Sequence, residues 1–183
     1  MKILLRANVV ALFFIGIIVS IISQLDSHTA KIVTDNGSEV SVAFSPFEII
    51  SYISFFLWPW VVGINLYKLL PEDSQMNLKY LKVAILVPFI LMLDMYLIGW
   101  FFPPEVQAAF LAREGIALII VPLCIFFTCF FYILYFIAKE LKSVELKREA
   151  KWSDYNATFF FLWFIPIGIW WVQPRINRIF EVV

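Results

Sequence analysis

The chain has 183 residues, of which 62% are hydrophobic and 19% aromatic, and its formal net charge is zero. This size and composition predict one helical domain, 1–183, with no second soluble domain. The lack of excess basic charge argues against a nucleic-acid partner. The sequence also has no G-x-x-x-x-G-K-S/T phosphate-binding loop, which argues against a bound nucleotide.

Five long apolar runs divide the chain. A helix that crosses a bilayer needs about 20 largely apolar residues, and lipid forces every backbone polar group to pair within the segment. The sequence therefore predicts an all-α polytopic membrane protein with four transmembrane helices and a fifth membrane-embedded segment. The four predicted spans are 3–23, 47–67, 81–102 and 116–138, and the fifth segment is 157–172.

The first run resembles a signal peptide because Lys2 and Arg6 form a basic region at its amino end. No small-residue cleavage site follows, and the run is as long as a full span, so we expect a retained anchor. Between the first two runs, 31–35 and 38–42 alternate apolar and polar residues around Asn36-Gly37. Asn-Gly favours a two-residue type I′ turn, which predicts a small outer β-hairpin at 31–42.

Positive charges in the short loops predict the orientation, because Lys and Arg there stay in the cytoplasm. The amino end and the second and fourth loops are rich in these residues, whereas the first loop has only Lys31 and the third only Arg113. The sequence therefore predicts a multi-pass protein of the cell membrane with a cytoplasmic N-terminus. The alternating charges of 139–151 predict a helix that continues into the cytoplasm with a solvated face.

The fifth run is ambiguous, because Pro166 and Gly168 interrupt it. If it crosses the membrane, Arg175 and Arg178 lie outside, against the charge rule; if it re-enters, they stay inside. Apolar residues continue without a charge from Ala157 to Val172, which favours a span.

The same end of the chain carries a resemblance to other proteins. The segment Phe160–Asn177, FFLWFIPIGIWWVQPRIN, resembles the closing segment of uncharacterised small integral membrane proteins of Bacteroidota. The resemblance covers about a tenth of the chain, by comparison with its 183 residues. It implies a bacterial inner-membrane origin and no particular activity.

Asp94 is the candidate functional residue, because it lies within the third run and a carboxyl there costs about 2.5–3.5 kcal/mol on insertion scales. No Lys or Arg lies at the same depth, so its partners must be polar groups of other helices. Matching depths gives a candidate intramembrane polar site that combines Asp94 with Ser20, Ser51, Tyr52 and Ser54. This site is either an interhelical hydrogen-bond cluster or an ion or proton site.

The sequence predicts no cofactor and no metal site. Cys124 and Cys129 lie five residues apart on different sides of a helix, and His28 is the one histidine. The expected function is non-catalytic: an accessory or structural component that lies in the lipid bilayer and associates with copies of itself or other membrane proteins. Prolines within four of the runs and the unpaired Asp94 give the alternative, a small proton- or ion-coupled transporter or channel. An enzyme acting on lipids at the outer face is the weakest hypothesis.

Overall fold

The computed structural model describes residues 18–19, 21, 28–33, 39–44, 47–101 and 117–182. Helices dominate, as the sequence predicts. Two strands, β1 (His28–Val33) and β2 (Glu39–Phe44), precede the helices α1 (Phe47–Tyr67), α2 (Leu78–Phe101), α3 (Ala117–Leu146), α4 (Trp152–Trp163) and α5 (Ile165–Val182).

The apolar runs 47–67, 81–102 and 116–138 correspond to α1, α2 and α3, so their prediction as helices is confirmed. Within the described residues, one helix is long and apolar enough to cross a membrane, Ile120–Leu146, and the apolar part of α1, Tyr52–Tyr67, is shorter. Four membrane crossings therefore remain a prediction. The first run, 3–23, lies outside the described residues except for 18, 19 and 21, which are helical.

The core lies between the first three helices, which pack on one another, while α4 packs against α3 and α5 against α4. Apolar side chains fill this core because each helix is apolar on more than one side. Its most buried large side chains are Val62, Leu66, Leu81, Phe136, Ile137, Leu141, Leu162, Val172 and Ile176.

The two strands pair antiparallel, with Val33 opposite Glu39 and His28 opposite Phe44. A two-residue turn at Asn36-Gly37 would instead pair residue 35 with residue 38, so the predicted register is wrong by one residue. In an antiparallel pair this shift changes which side chains lie opposite each other on each face. Five residues, 34–38, separate the strands, and Asn36-Gly37 falls among them, outside the described residues.

The fifth run is not one continuous helix, and its crossing of the membrane stays a prediction. Helix α4 ends at Trp163, Phe164 leaves the helical conformation, and α5 begins at Ile165. Pro166 lies in the first turn of α5, where its missing N–H leaves no helical hydrogen bond unmade. The two helices form a hairpin, in which the Phe161 and Trp171 rings lie 4.5 Å apart.

Gly168 allows this hairpin to close. Its N–H donates to the carbonyl oxygen of Phe164 at 2.8 Å, and a Cβ at this position would collide with the backbone carbonyl of Phe161 and with Cα of Leu162. The start of α5 therefore lies directly against the backbone of α4, which only a residue without a side chain permits.

Candidate functional site

Buried polar side chains gather near the end of the helical bundle where α1 and α3 finish and α2 begins. Inside a protein, such groups are costly unless they find hydrogen-bond partners, so each one needs an explanation. The described residues that are both polar and buried at this end are Asn65, Glu140, Ser143, Thr158 and Gln173.

Glu140 is the exceptional member of this group. Its side chain on α3 is 0% exposed, and neither carboxylate oxygen has a hydrogen-bond partner within the part of the chain that the structure describes. A methyl group at Gly63 of α1 would lie 3.7 Å from Oε2 of Glu140 and would collide with the side chain of Leu81 of α2. The carboxyl group thus occupies an apolar gap between three helices, where the uncharged acid is the less costly form to bury.

The other buried polar groups are satisfied. Trp58 Nε1 donates to Gln173 Oε1 at 3.1 Å, and Gln173 Nε2 donates to Asn177 Oδ1 at 3.0 Å. Asn65 Nδ2 donates to the carbonyl oxygen of Val61 at 2.7 Å. The Trp58–Gln173 hydrogen bond joins α1 to α5 and fixes the returning helix against the bundle.

Ser143 lies three residues beyond Glu140 and closes the end of α3. Its hydroxyl donates to the carbonyl oxygen of Lys139 at 2.8 Å and accepts the N–H of Ala150 at 3.0 Å. The prediction of a solvated face for 139–151 is therefore wrong at Glu140, Leu141 and Ser143, all of which are fully buried. The helix continues past the predicted span, to Leu146, and then turns into α4.

An ion-pair cluster joins α3 to α5 near these buried polar side chains. Arg175 Nε and Nη2 donate to the two carboxylate oxygens of Glu145 at 2.8 and 2.6 Å, and Lys142 lies 3.0 Å from the same carboxylate. Arg175 also donates to Thr158 Oγ1 at 3.3 Å, and its guanidinium carbon lies 5.1 Å from the ring centroid of Trp171. These contacts fix the guanidinium group from several sides.

Two further ion pairs hold the connection between α3 and α4. Lys139 Nζ lies 2.6 Å from Glu149, and Arg148 lies 3.0 Å from Asp154. The hydrogen bond from Lys139 lowers the pKa of the Glu149 carboxyl. The backbone N–H of Lys151, followed by Arg148, lowers the pKa of the Asp154 carboxyl.

The residues of the sequence-predicted site are distributed differently. Asp94 is exposed on α2, Ser54 is buried on α1, and Tyr52 is partly exposed. Ser20 and the side chain of Ser51 lie outside the described residues. Within the described part, no hydrogen bond joins Asp94 to Ser54, so a site built on Asp94 stays a prediction.

Glu140 was not predicted from the sequence, although the sequence contains a signal for it. Residues 133, 136, 137, 140 and 144 share one face of a helix with 3.6 residues per turn, and all but Glu140 are apolar. The lysines and glutamates around Glu140 alternate in charge, so local composition indicates a solvated segment and does not reveal this apolar face. A test of helical phase rather than of local composition identifies it.

Residues suited to metal binding do not gather in the described part of the chain, where no three His, Cys, Asp or Glu side chains form a group. The sequence matches no family model, and no curated protein or solved structure matches it either. The candidate site therefore has to be interpreted from its own chemistry. That chemistry is a buried carboxyl group without a hydrogen-bond partner among the described residues, near the ion-pair cluster of Arg175, Lys142 and Glu145.

Proposed function

We propose that this chain is a multi-pass protein of a bacterial inner membrane, with its N-terminus in the cytoplasm, and that it acts without catalysis by associating with other membrane chains. The observation that carries this proposal is the surface of α3. Of the most apolar 18 residues of its candidate span, only 22% are buried. The first part of this helix, 120–128, is therefore largely uncovered by the described part of its own chain, whereas its second part lies in the core.

The exposed surface of α3 is aromatic as well as aliphatic. Val121, Leu123 and Phe127 are each about half exposed. Phe131 forms an edge-to-face contact with the partly exposed Trp163 of α4, with centroids 5.1 Å apart. Large aromatic side chains supply contact area at a low cost in side-chain entropy, which suits a helix that packs against another chain.

We propose four membrane-spanning helices. The hairpin of α4 and α5 bears on the side of the membrane where the C-terminus lies. Arg175 reaches Glu145, which is next to the end of α3, so both residues belong on one side of the membrane. Because the fourth loop is cytoplasmic by its charge, we propose that the fifth segment re-enters and returns the C-terminus to the cytoplasm.

Cysteine accessibility labelling tests this topology. Cys124 and Cys129 are first replaced by alanine, and single cysteines are then introduced at Ser38, Gln75, Gln107, Lys147 and Val183. We expect Ser38 and Gln107 to react with an impermeant reagent from outside, and the other three positions only after the membrane is opened. Gln75 is the matched control for Val183, because the proposed topology places both positions in the cytoplasm. Labelling of Val183 from outside would overturn the re-entrant segment, and cytoplasmic labelling of Ser38 would overturn the whole orientation.

Photo-crosslinking in native membranes tests the association. A crosslinking residue at Phe127 of α3 should produce a protein adduct, either with a second copy or with another membrane chain. The matched position is Val83 of α2, which is also about half exposed. Adducts with lipid alone at position 127, together with a monomer in every mild detergent, would contradict association.

A second candidate function is proton- or ion-coupled transport. The sequence points to Asp94 for this function, and the buried carboxyl of Glu140, which has no partner among the described residues, supports a different location. In proteoliposomes, transport through the bundle predicts that Glu140→Gln abolishes flux and Asp94→Asn preserves it. The opposite result would favour the site predicted from the sequence. Absence of flux from the parent protein would remove this candidate.

A further inference from the structure

A cavity of ≈ 890 Å³ lies beside the ion-pair cluster, between the end of α3, the second half of α5 and the connection from α1 to α2. Its volume is within the range that holds a small ligand or a lipid headgroup. It is lined by Leu69, Pro71, Val144, Glu145, Lys147, Arg175, Arg178 and Ile179.

The charged side chains of this lining are three cations and one carboxylate, which leaves a net positive charge of two. Arg175 and Lys142 already neutralise the Glu145 carboxylate. Lys147 and Arg178 are exposed, and neither makes an ion pair with another described residue. The cavity therefore offers two cations that are free to bind an anion, next to a third that is held in place.

Lys147 has an unusual backbone for its residue type. Its φ of 52° lies in the left-handed region, and it is the one non-glycine residue of the described chain with positive φ. Helices usually end at such a position with glycine, because a Cβ is strained there. Position 147 thus has a cationic side chain that lines the cavity, although its backbone conformation favours glycine.

The remaining lining is apolar, from Leu69, Pro71, Val144 and Ile179. A soluble anion gains nothing from such walls, whereas an amphiphile does. Glu145 and Lys147, which line the cavity, flank the last residue of the candidate span, so the cavity lies at the depth of the headgroups if α3 crosses the bilayer. Basic pockets at the cytoplasmic ends of membrane helices suit anionic headgroups.

From this combination of free cations, apolar walls and position, we propose that the cavity binds the headgroup phosphate of an anionic phospholipid. Lys147 and Arg178 contact the phosphate oxygens, and Arg175 supports the site while it remains bound to Glu145. The acyl chains follow the apolar wall toward the bilayer. The inference rests on the proposed membrane location, but not on the proposed association with other chains.

Native mass spectrometry of the full chain in detergent tests this binding site with two lipids of identical acyl chains, phosphatidylglycerol and phosphatidylcholine. We expect preferential binding of phosphatidylglycerol by the parent protein. The variant Lys147→Gly with Arg178→Gln should bind it less tightly, by about 5-fold for each cation removed. Because glycine suits the left-handed backbone at position 147, this variant should keep the fold, which its thermal midpoint checks.

The matched control is Lys79→Gln with Lys82→Gln, which removes two exposed cations at the same end of the bundle. Equal loss of affinity in both variants would indicate general surface charge and would overturn the proposal, as would unchanged affinity in the cavity variant. Displacement of the lipid by excess glycerol phosphate would also overturn it in favour of a soluble anion. Resistance to carbonate extraction is measured separately, so that a failed membrane location is distinguished from a failed lipid site.

Discussion

Arg175 and Glu145 are joined by two hydrogen bonds of 2.8 and 2.6 Å, although they lie 30 residues apart in the sequence. This fork-shaped contact brings the second half of α5 back to the end of α3. The side chains are 19% and 24% exposed, so the contact is partly shielded from water. This pair joins the returning α5 to α3, and both of its residues line the cavity.

We expect Glu145→Gln to reduce the free energy of unfolding by about 1–3 kcal/mol, because a partly buried guanidinium group loses its charged partner. Arg175→Lys should cause a smaller loss, since it keeps the charge but not the two parallel hydrogen bonds. Thermal unfolding in a mild detergent measures both effects.

The ion pair between Arg148 and Asp154 provides the control for this prediction. It joins residues of the same connection at 3.0 Å, but the Arg148 side chain is 50% exposed. Arg148→Ala should therefore change stability by no more than about 1 kcal/mol. If Arg148→Ala and Glu145→Gln had equal effects, burial of the Arg175–Glu145 pair would not explain its contribution.

Gly168→Ala should disrupt the hairpin of α4 and α5, because the added methyl group meets backbone atoms of Phe161 and Leu162 that cannot rotate away. The expected loss is about 1–3 kcal/mol or more. Gly63→Ala is the matched variant, since its methyl group meets the end of the Leu81 side chain, which can move. Thermal midpoints compare the two, and a larger loss for Gly63→Ala would contradict the rigid contact.

Acid should loosen the connection between α3 and α4. The hydrogen bond from Lys139 lowers the pKa of Glu149, and the N–H of Lys151 and Arg148 lower that of Asp154, from ordinary values of 4.5 and 3.8. Carboxyls with a lowered pKa stabilise the folded state above those ordinary values, and the stabilisation is lost as the pH falls through the lowered values. The thermal midpoint should therefore decrease below about pH 4.5.

The variant Glu149→Gln with Asp154→Asn should show a weaker dependence of the midpoint on pH in this range. Glu72→Gln is the control, because Glu72 is exposed and forms no ion pair with another described residue. An unchanged acid dependence in the double variant would assign the effect to other carboxyl groups.

The helices were predictable from the sequence because apolar length and helix signals are local properties. The run 47–67 coincides with α1. The hairpin of α4 and α5 was not predictable in the same way, since an apolar run without charges hides the break at Phe164. A contact between residues 30 apart, such as Arg175 with Glu145, decides its direction.

The candidate site was harder to predict because burial depends on which helix faces pack together. Asp94 has apolar neighbours in sequence and is nevertheless exposed, whereas Glu140 has charged neighbours and is fully buried. Local composition favours the first residue, and the gap left by Gly63 on another helix buries the second. Helical phase places Glu140 on the apolar face of α3, and the contact between α1 and α3 shows that this face is buried.

Glu140→Leu should leave the thermal midpoint unchanged or raise it, because Glu140 is fully buried and its carboxyl has no partner to lose among the described residues. A buried polar group without a hydrogen bond costs stability, so an apolar side chain of similar volume at this position removes that cost. Ser143→Ala is the contrast, since it leaves the buried N–H of Ala150 without its acceptor and should cost about 1–3 kcal/mol. If Glu140→Leu destabilised the protein as much as Ser143→Ala, the carboxyl would serve folding. Unchanged or higher stability would mean that the chain keeps this acid for a purpose other than folding.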